Sequence, residues 1–526
     1  MSESATLTPL GVGFDQLAAA EPDAAAVTFR GQTYSRNYLA RRSNQLARRL
    51  ASLGVSAGDT VTIGLPNGVA FYEAVLAIWK LGAVPQPVSY RLPPPELAAL
   101  IEVADPVAVV GLDPGDGRPW ISGSESLDGI DDSSLPPLVS PYWKAMTSGG
   151  STGRPKLIVA TTPAVMEFVA GGGPLLRIDE RETFLCTGPL YHNGPFLFSL
   201  TALLRGGHVV VMERFDASRC LELVEQHRVT YMYLVPTMMS RILRLPDDER
   251  QARDMSSVRT AYHLAAPCPP HVKHAWIDWL GPEVIAELYA GTEGQAATAI
   301  DGAEWLAHRG SVGRVVMGEM RVTGPDGEIL PPGVVGEIWM RPSADRVTYR
   351  YIGAEPVARQ GWESLGDMGS FDEDGYLYLA DRQTDMILVG GSNVYPAEVE
   401  AALDEHPAVL SACVIGLPDE DYGSVVHAIV ETHADVTDEE LRAHLADRLV
   451  GYKLPRTFER SPEPLRDDAG KVRRSALREA RLPGDGAGGA SRAGAQPGPG
   501  GGAGPGGGAG PGGGAGPGGE AGTGRG

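Results

Sequence analysis

The chain has 526 residues, too many for a single hydrophobic core, so two or more domains are expected. Its 45 Lys and Arg against 66 Asp and Glu leave a net charge of −21, which disfavours nonspecific binding to nucleic acid or to an anionic membrane. Hydrophobic residues make up 43% of the chain, a globular proportion, and no apolar run reaches the ~18 residues of a membrane span. The start, Met1-Ser2-Glu3-Ser4, has no basic region leading into an apolar run, so no signal peptide is expected. Cys186, Cys220, Cys268 and Cys413 are scattered without metal-ligand spacing. Reduced thiols in a cytoplasmic protein are the expectation.

From Phe14 to about Val110 the pattern alternates helix and strand. Arg36–Leu53 places Leu39, Leu46 and Leu50 on one face and closes at Gly54, an amphipathic helix. Residues 59–65 read as a strand, Val69–Leu81 as a helix, and Val84–Val88 and Val107–Val110 as further strands. Such alternation implies a parallel, doubly wound sheet. Residues 111–132 read as a polar loop. Strands are expected again at Phe184–Thr187, His208–Val211, Tyr231–Val235, Val258–Leu264 and Val284–Leu288, with helices at Ser218–Arg228 and Thr237–Leu243. After Gly310 the texture changes to short strands at Met320–Val322, Val335–Met340 and Tyr376–Leu379. Turns such as Gly324-Pro325-Asp326-Gly327 separate them, which is antiparallel in character.

A smaller α+β unit follows Asp381, with a helix at Pro396–Leu403 and strands at Ser411–Ile415 and Val425–Glu431. A second helix over Thr437–Val450 opens on a capping box of Thr437 and Glu440. Beyond Leu482 the chain is mostly Gly, Ala and Pro, with Pro499, Pro505, Pro511 and Pro517 on a six-residue period. A segment with so little to bury is expected to be a disordered tail.

The most informative stretch is Met146–Ile158, M-T-S-G-G-S-T-G-R-P-K-L-I. Gly149, Gly150 and Gly153 let backbone N–H groups converge on an anion, and Thr147, Ser148, Ser151 and Thr152 add hydroxyl donors. Lys156 adds a point charge suited to phosphate. Arg154-Pro155 before Lys156 rule out a Walker A loop, in which Gly-Lys-Ser/Thr opens a helix. The segment reads as a strand–loop–strand polyphosphate cradle.

This loop resembles the phosphate loop of the ANL superfamily of adenylate-forming enzymes, usually Thr-Ser-Gly-Ser/Thr-Thr-Gly-x-Pro-Lys, with one additional glycine. Together with Pro189-Leu190-Tyr191-His192-Asn193-Gly194 it is similar to the bile-acid or fatty-acid CoA ligase branch. The resemblance runs from about Phe14 to Ala480. It implies a large N-terminal domain (1–381) with doubly wound mixed sheets and a small β-barrel-like subdomain. A hinge at 382–386, a small mobile α+β lid domain at 387–482 and the tail at 483–526 follow.

The remaining roles come from the same resemblance. Tyr289, with Ala290 and Gly291, packs on adenine, as do Ala265, Ala266 and Pro267, where the family commonly has Gly-Gly-Ala-Pro. Thr292 donates to the α-phosphate, and Glu293 helps hold Mg²⁺, a hard cation that suits a carboxylate beside polyphosphate. Asp367 takes the ribose hydroxyls, and Arg382 approaches ribose or phosphate at the hinge. Thr384 stands where the family usually has Asp or Lys. Lys471 matches the catalytic lysine, and His192 guards the mouth of an acyl pocket lined by Asn193, Gly194 and Gly294. Gly390, Gly391 and Ser392 resemble the loop along the pantetheine channel of CoA.

The implied activity uses ATP, Mg²⁺ and CoA to convert a carboxylic acid to an acyl-AMP and then an acyl-CoA thioester. Alternatives are a carrier-protein or amine acceptor, or an ATP-dependent diazo-forming relative that activates a small anion. Small-molecule acids are the expected partners, with a homodimer or a carrier protein left open.

Overall fold

Among the described residues, three sheets of the large domain and two of the C-terminal domain carry the loops above. The computed structural model describes residues 7–149, 155–343, 346–390, 392–419, 421–467 and 470–482, and the expected tail lies outside them. Among the described residues, no helix is long and apolar enough to cross a membrane.

The first sheet is parallel, in the order Val84–Pro87, Thr60–Ile63, Ala108–Val110, Trp120–Ile121. Its last strand lies inside the stretch expected to be loop, because Trp120 and Ile121 pair with Val109 and Val110 over two residues only, too few to leave a periodic signal. The helix Val69–Lys80 is buried from Phe71 onward, so its apolar residues run all the way round. Ser35 caps the helix Arg36–Ser52 by accepting from the Tyr38 N–H.

The large sheet holds the parallel strands Ala25–Phe29, His208–Val211, Thr183–Cys186, Tyr231–Leu234, Thr260–His263 and Ile285–Ala290 in spatial order. It then turns antiparallel through Ala297–Asp301 and Ser311–Met317 and continues into Leu377–Arg382, Trp362–Phe371, Gly336–Arg341 and Glu319–Thr323. The expected barrel-like unit is therefore the antiparallel end of this mixed sheet. Its own small core gathers Ala296, Val312, Val322, Ile338, Met340 and Leu377.

A third sheet joins Ala145–Gly149, Pro155–Ala160 and Tyr349–Ile352, all antiparallel. The C-terminal domain has a separate core around Val399, Leu403, Val414, Val426, Leu441 and Leu445. The helix Asp438–Ala446 carries the expected capping box of Thr437 and Glu440.

The helix Asn193–Leu204 was not anticipated. Nine of its twelve residues are buried, so it lacks the polar face that makes a helix readable in sequence.

Candidate active site

Four parallel strands of the large sheet end on the same side, and three of them hand the chain to a segment carrying an expected site residue, the fourth to Val235–Thr237. Thr183–Cys186 leads to His192, Tyr231–Leu234 to Val235–Thr237, Thr260–His263 to Ala265–Pro267, and Ile285–Ala290 to Thr292 and Glu293. The crevice at the carboxyl ends of parallel strands is where open α/β sheets bind ligands.

The expected phosphate cradle is an antiparallel hairpin, pairing Thr147 with Leu157, Ser148 with Lys156 and Gly149 with Pro155. Gly150, Ser151, Thr152 and Gly153 at its tip lie outside the described residues. Gln86 donates to the Thr147 hydroxyl oxygen at 2.9 Å, and Thr62 in turn donates to Gln86 at 2.5 Å. With its oxygen thus accepting, the Thr147 O–H is left to donate to an anion.

The Lys156 ammonium lies 3.9 Å from the centre of the Tyr351 ring, and the Tyr351 hydroxyl donates to Glu293 at 2.6 Å. The one aromatic ring thus spaces the cation from the carboxylate. Burial lowers the Lys156 pKa while Glu293 raises it.

Gly291 admits this arrangement, since a Cβ there would lie 2.4 Å from Leu365 and 2.9 Å from the Glu293 carboxylate. Glu293 is buried, Thr292 and Gly294 are half-buried, and Gly294 lines a cavity of about 140 Å³ with Gln295, Met317 and Arg346. Among the described residues, no group of three or more His, Cys, Asp or Glu could hold a metal. A single carboxylate beside a phosphate cradle fits Mg²⁺, which keeps waters and takes substrate phosphate oxygens.

On the nucleoside side, the Tyr289 hydroxyl donates to Asp367 at 2.8 Å and Arg382 reaches the other Asp367 oxygen at 3.2 Å. Asp367 and Arg382 are paired across the antiparallel strands Trp362–Phe371 and Leu377–Arg382. Ala290 is exposed at the end of its strand. Ala265 has φ 78, the left-handed region that favours glycine, and Ala266 and Pro267 follow it. The chain thus keeps a glycine-like backbone where it has lost the glycine.

The expected catalytic lysine belongs to the C-terminal domain and reaches the same crevice. Asp467 forms a turn with Lys471 by accepting from the Lys471 N–H at 2.9 Å. The next residue back, Gly470, has φ 77, and a Cβ there would meet Thr237 at 3.0 Å and Val235 at 3.2 Å. Arg244 of the large domain donates to the carbonyls of Leu410 and Val409 at 3.0 and 2.9 Å.

Lys471 is open to solvent yet surrounded by protein. Burial lowers its pKa first, Asp467 raises it, Arg382 lowers it and Glu293 raises it. His192, the residue before the helix Asn193–Leu204, is pushed down to about 3 by burial and then by Lys471, and its Nε2 has no hydrogen-bond partner. Asn193 starts that helix, and Gly194 packs where a Cβ would lie 2.2 Å from the Tyr233 hydroxyl.

The expected CoA loop is a tight hairpin turn between Ile387–Val389 and Ser392–Val394. Gly390 has φ 55 and its N–H donates to the Tyr422 carbonyl, while Gly391 lies outside the described residues. The contacts of Gly390 are with Tyr422, so this turn is not joined to the Lys471 group.

Three contributors carried no motif: Gln86, Tyr351 and Lys144. Lys144 is 4% exposed, donates to the Asn193 side chain and stands 4.6 Å from the Trp143 ring. Burial lowers its pKa to about 7, opposed by Glu293. The signal for it was a lone lysine inside the apolar run Trp143–Met146, a place where lysine is rare.

A family model for AMP-binding enzymes matches residues 14–140 and 143–348, and a model for their C-terminal domain matches 398–470. A feruloyl-CoA synthase from an Amycolatopsis species is 34% identical over 481 residues, covering 87% of this chain and 96% of the relative. A sulfoacetate–CoA ligase from Cupriavidus necator is 31% identical over 473 residues, covering 84% and 91%. Among solved structures, an o-succinylbenzoate CoA synthetase from Bacillus subtilis in complex with its acyl-adenylate intermediate is similar at TM-score 0.79 and 26% identity. That match covers 91% of this chain and 99% of the other.

Proposed function

Because this chain belongs to the AMP-binding enzyme family, we propose that it activates a carboxylic acid with ATP and passes the acyl group to CoA. It is an acid–CoA ligase that forms AMP and pyrophosphate. The observation that carries the reading is that Gly470, the neighbour of Lys471 in the C-terminal domain, packs on Val235 and Thr237 at the end of a strand of the large sheet, on the side where the neighbouring strands lead to His192 and Glu293.

In the first step an acid oxygen attacks the α-phosphorus of ATP, and the bond to the pyrophosphate oxygen breaks. Thr147, the hairpin backbone and Lys156 hold the phosphates, and Tyr289 and Asp367 hold adenine and ribose. Glu293 would hold Mg²⁺ together with phosphate oxygens, and the ion supplies charge neutralisation across the polyphosphate. Lys471 offsets negative charge that grows on the α-phosphate and the acid oxygens, a contribution realised at the transition state. His192, kept neutral by its surroundings, lies beside the acid without adding charge.

In the second step the CoA sulfur attacks the acyl carbonyl and AMP leaves. Rotation of the C-terminal domain about 382–386 withdraws Lys471 and brings the Gly390–Ser392 turn to the crevice, a hinge-type motion. A similar structure, the Bacillus subtilis synthetase with ATP and a magnesium ion, supports the nucleotide and metal.

The test is pyrophosphate release that requires an organic acid, followed by CoA consumption. Lys471→Ala is expected to abolish the acid-dependent release; unchanged turnover would remove Lys471 from the first step.

A further inference from the structure

Lys144 is a buried ammonium placed where an ammonium is unfavourable. It is 4% exposed, and among the described residues its polar partner is the neutral Asn193 side chain, with no carboxylate at ion-pair distance. Asn193 is the first residue of a twelve-residue helix, so Lys144 faces the positive end of a helix dipole. The buried Nε2 of His192, the residue before Asn193, has no hydrogen-bond partner. A desolvated cation and a helix N-terminus share one need, an oxygen anion. Trp143 and Met146 on either side of Lys144 belong to the hydrophobic core, so an apolar residue would suit its position by packing alone.

Resting on the acid-activating function above, we propose that Lys144 is a substrate-recognition residue and that the site takes a compact acid presenting an anionic oxygen to this ammonium. A plain long alkyl chain is excluded, since it would be laid against a buried charge. The anionic oxygen comes from the reacting carboxylate or from a second acidic group on the same molecule.

Among the described residues, Glu293 favours the protonated form of Lys144, and His192, next in sequence to Asn193, is kept neutral above about pH 3 by burial and Lys471. In the acid-free enzyme the ammonium loses its proton near pH 7. Carboxylates are ionised throughout the range from about pH 6 to 8.5. Acid binding is therefore full below about pH 7 and falls about tenfold per pH unit above it, until the bound anion itself holds the proton on.

The experiment measures the thermal stability of the full-length protein with AMP and a panel of acids: butyrate against succinate, hexanoate against adipate, and palmitate. At least one short acid is expected to raise the melting temperature of the wild type at pH 6.5, and less at pH 8.5. Lys144→Met, which keeps the stem and removes the charge, is expected to melt at or above the wild-type temperature. It is also expected to lose roughly ten- to a hundredfold in short-acid affinity.

Equal losses for mono- and diacids assign the contact to the reacting carboxylate, and losses confined to diacids assign it to a second acidic group. An unchanged acid response in Lys144→Met, or a wild type that answers palmitate alone or no acid, overturns the proposal. The wild-type pH profile stands as a second measurement should Lys144→Met fail to fold, and a flat profile overturns the proposal too. Acid-dependent pyrophosphate exchange with palmitate alone would leave the activating function intact and remove this one. Short-acid binding dependent on Lys144, without exchange, would do the reverse.

Discussion

Lys144 stands just before the strand Ala145–Gly149 of the large domain, 4% exposed and held by Asn193. Lys471 sits on a turn of the C-terminal domain, open to solvent and set in place where Gly470 meets Val235 and Thr237. Burial pulls both ammonium pKa values down and Glu293 pushes both up, and both are proposed to act on the same bound acid. A cation fixed in a core contributes equally to the bound acid and to the transition state, whereas one delivered by a second domain can be present for one step and absent for the next. On the proposed reading, uniform binding belongs to Lys144 and rate to Lys471.

The comparison breaks most sharply at Lys471. Lys471→Ala is expected to lower the rate of acyl-adenylate formation by roughly a hundred- to a thousandfold while leaving acid affinity nearly intact. Steady-state pyrophosphate release measured over acid concentration reads both. Lys144→Met is expected to act in the opposite sense, raising the acid KM and sparing kcat.

Gly470→Val tests the delivery of Lys471 without touching it. A β-branched residue at φ 77, with Thr237 3.0 Å from its Cβ, costs about 1–2 kcal/mol in the docked arrangement. Adenylation is expected to slow by about tenfold, and CoA transfer from a supplied acyl-adenylate is expected to stay at the wild-type rate. Equal slowing of both steps would show that the turn matters to the fold rather than to docking.

The smallest effect is the most local. Ala265→Gly releases a left-handed alanine and is expected to stabilise the protein by about 1 kcal/mol in denaturant unfolding. ATP affinity is expected to change little.

How much of this was legible from residues alone follows the same division. The proposed phosphate cradle has a local signature, glycines and hydroxyls in short order before Lys156, whereas Glu293 and Asp367 were found through their resemblance to family motifs. The α/β alternation was legible wherever a helix kept one polar face, as Arg36–Ser52 does. Gln86, Tyr351 and Lys144 lie far from the motifs they support: sheet pairing brings residue 351 opposite residue 158, and Gln86 and Lys144 reach Thr147 and Asn193 by side-chain hydrogen bonds, none of which leaves a local pattern. The helix Asn193–Leu204 was hidden for a related reason, since burial on all sides erases the period that marks a helix. Ala265 shows the converse: its backbone kept the glycine conformation after the glycine was gone.

The most direct test of acid activation is exchange of labelled pyrophosphate into ATP by the wild-type protein with magnesium and a broad acid panel. Exchange that appears with at least one acid and vanishes when that acid is withheld is the expected result. A folded protein that exchanges no label with any acid would contradict acid activation at this site.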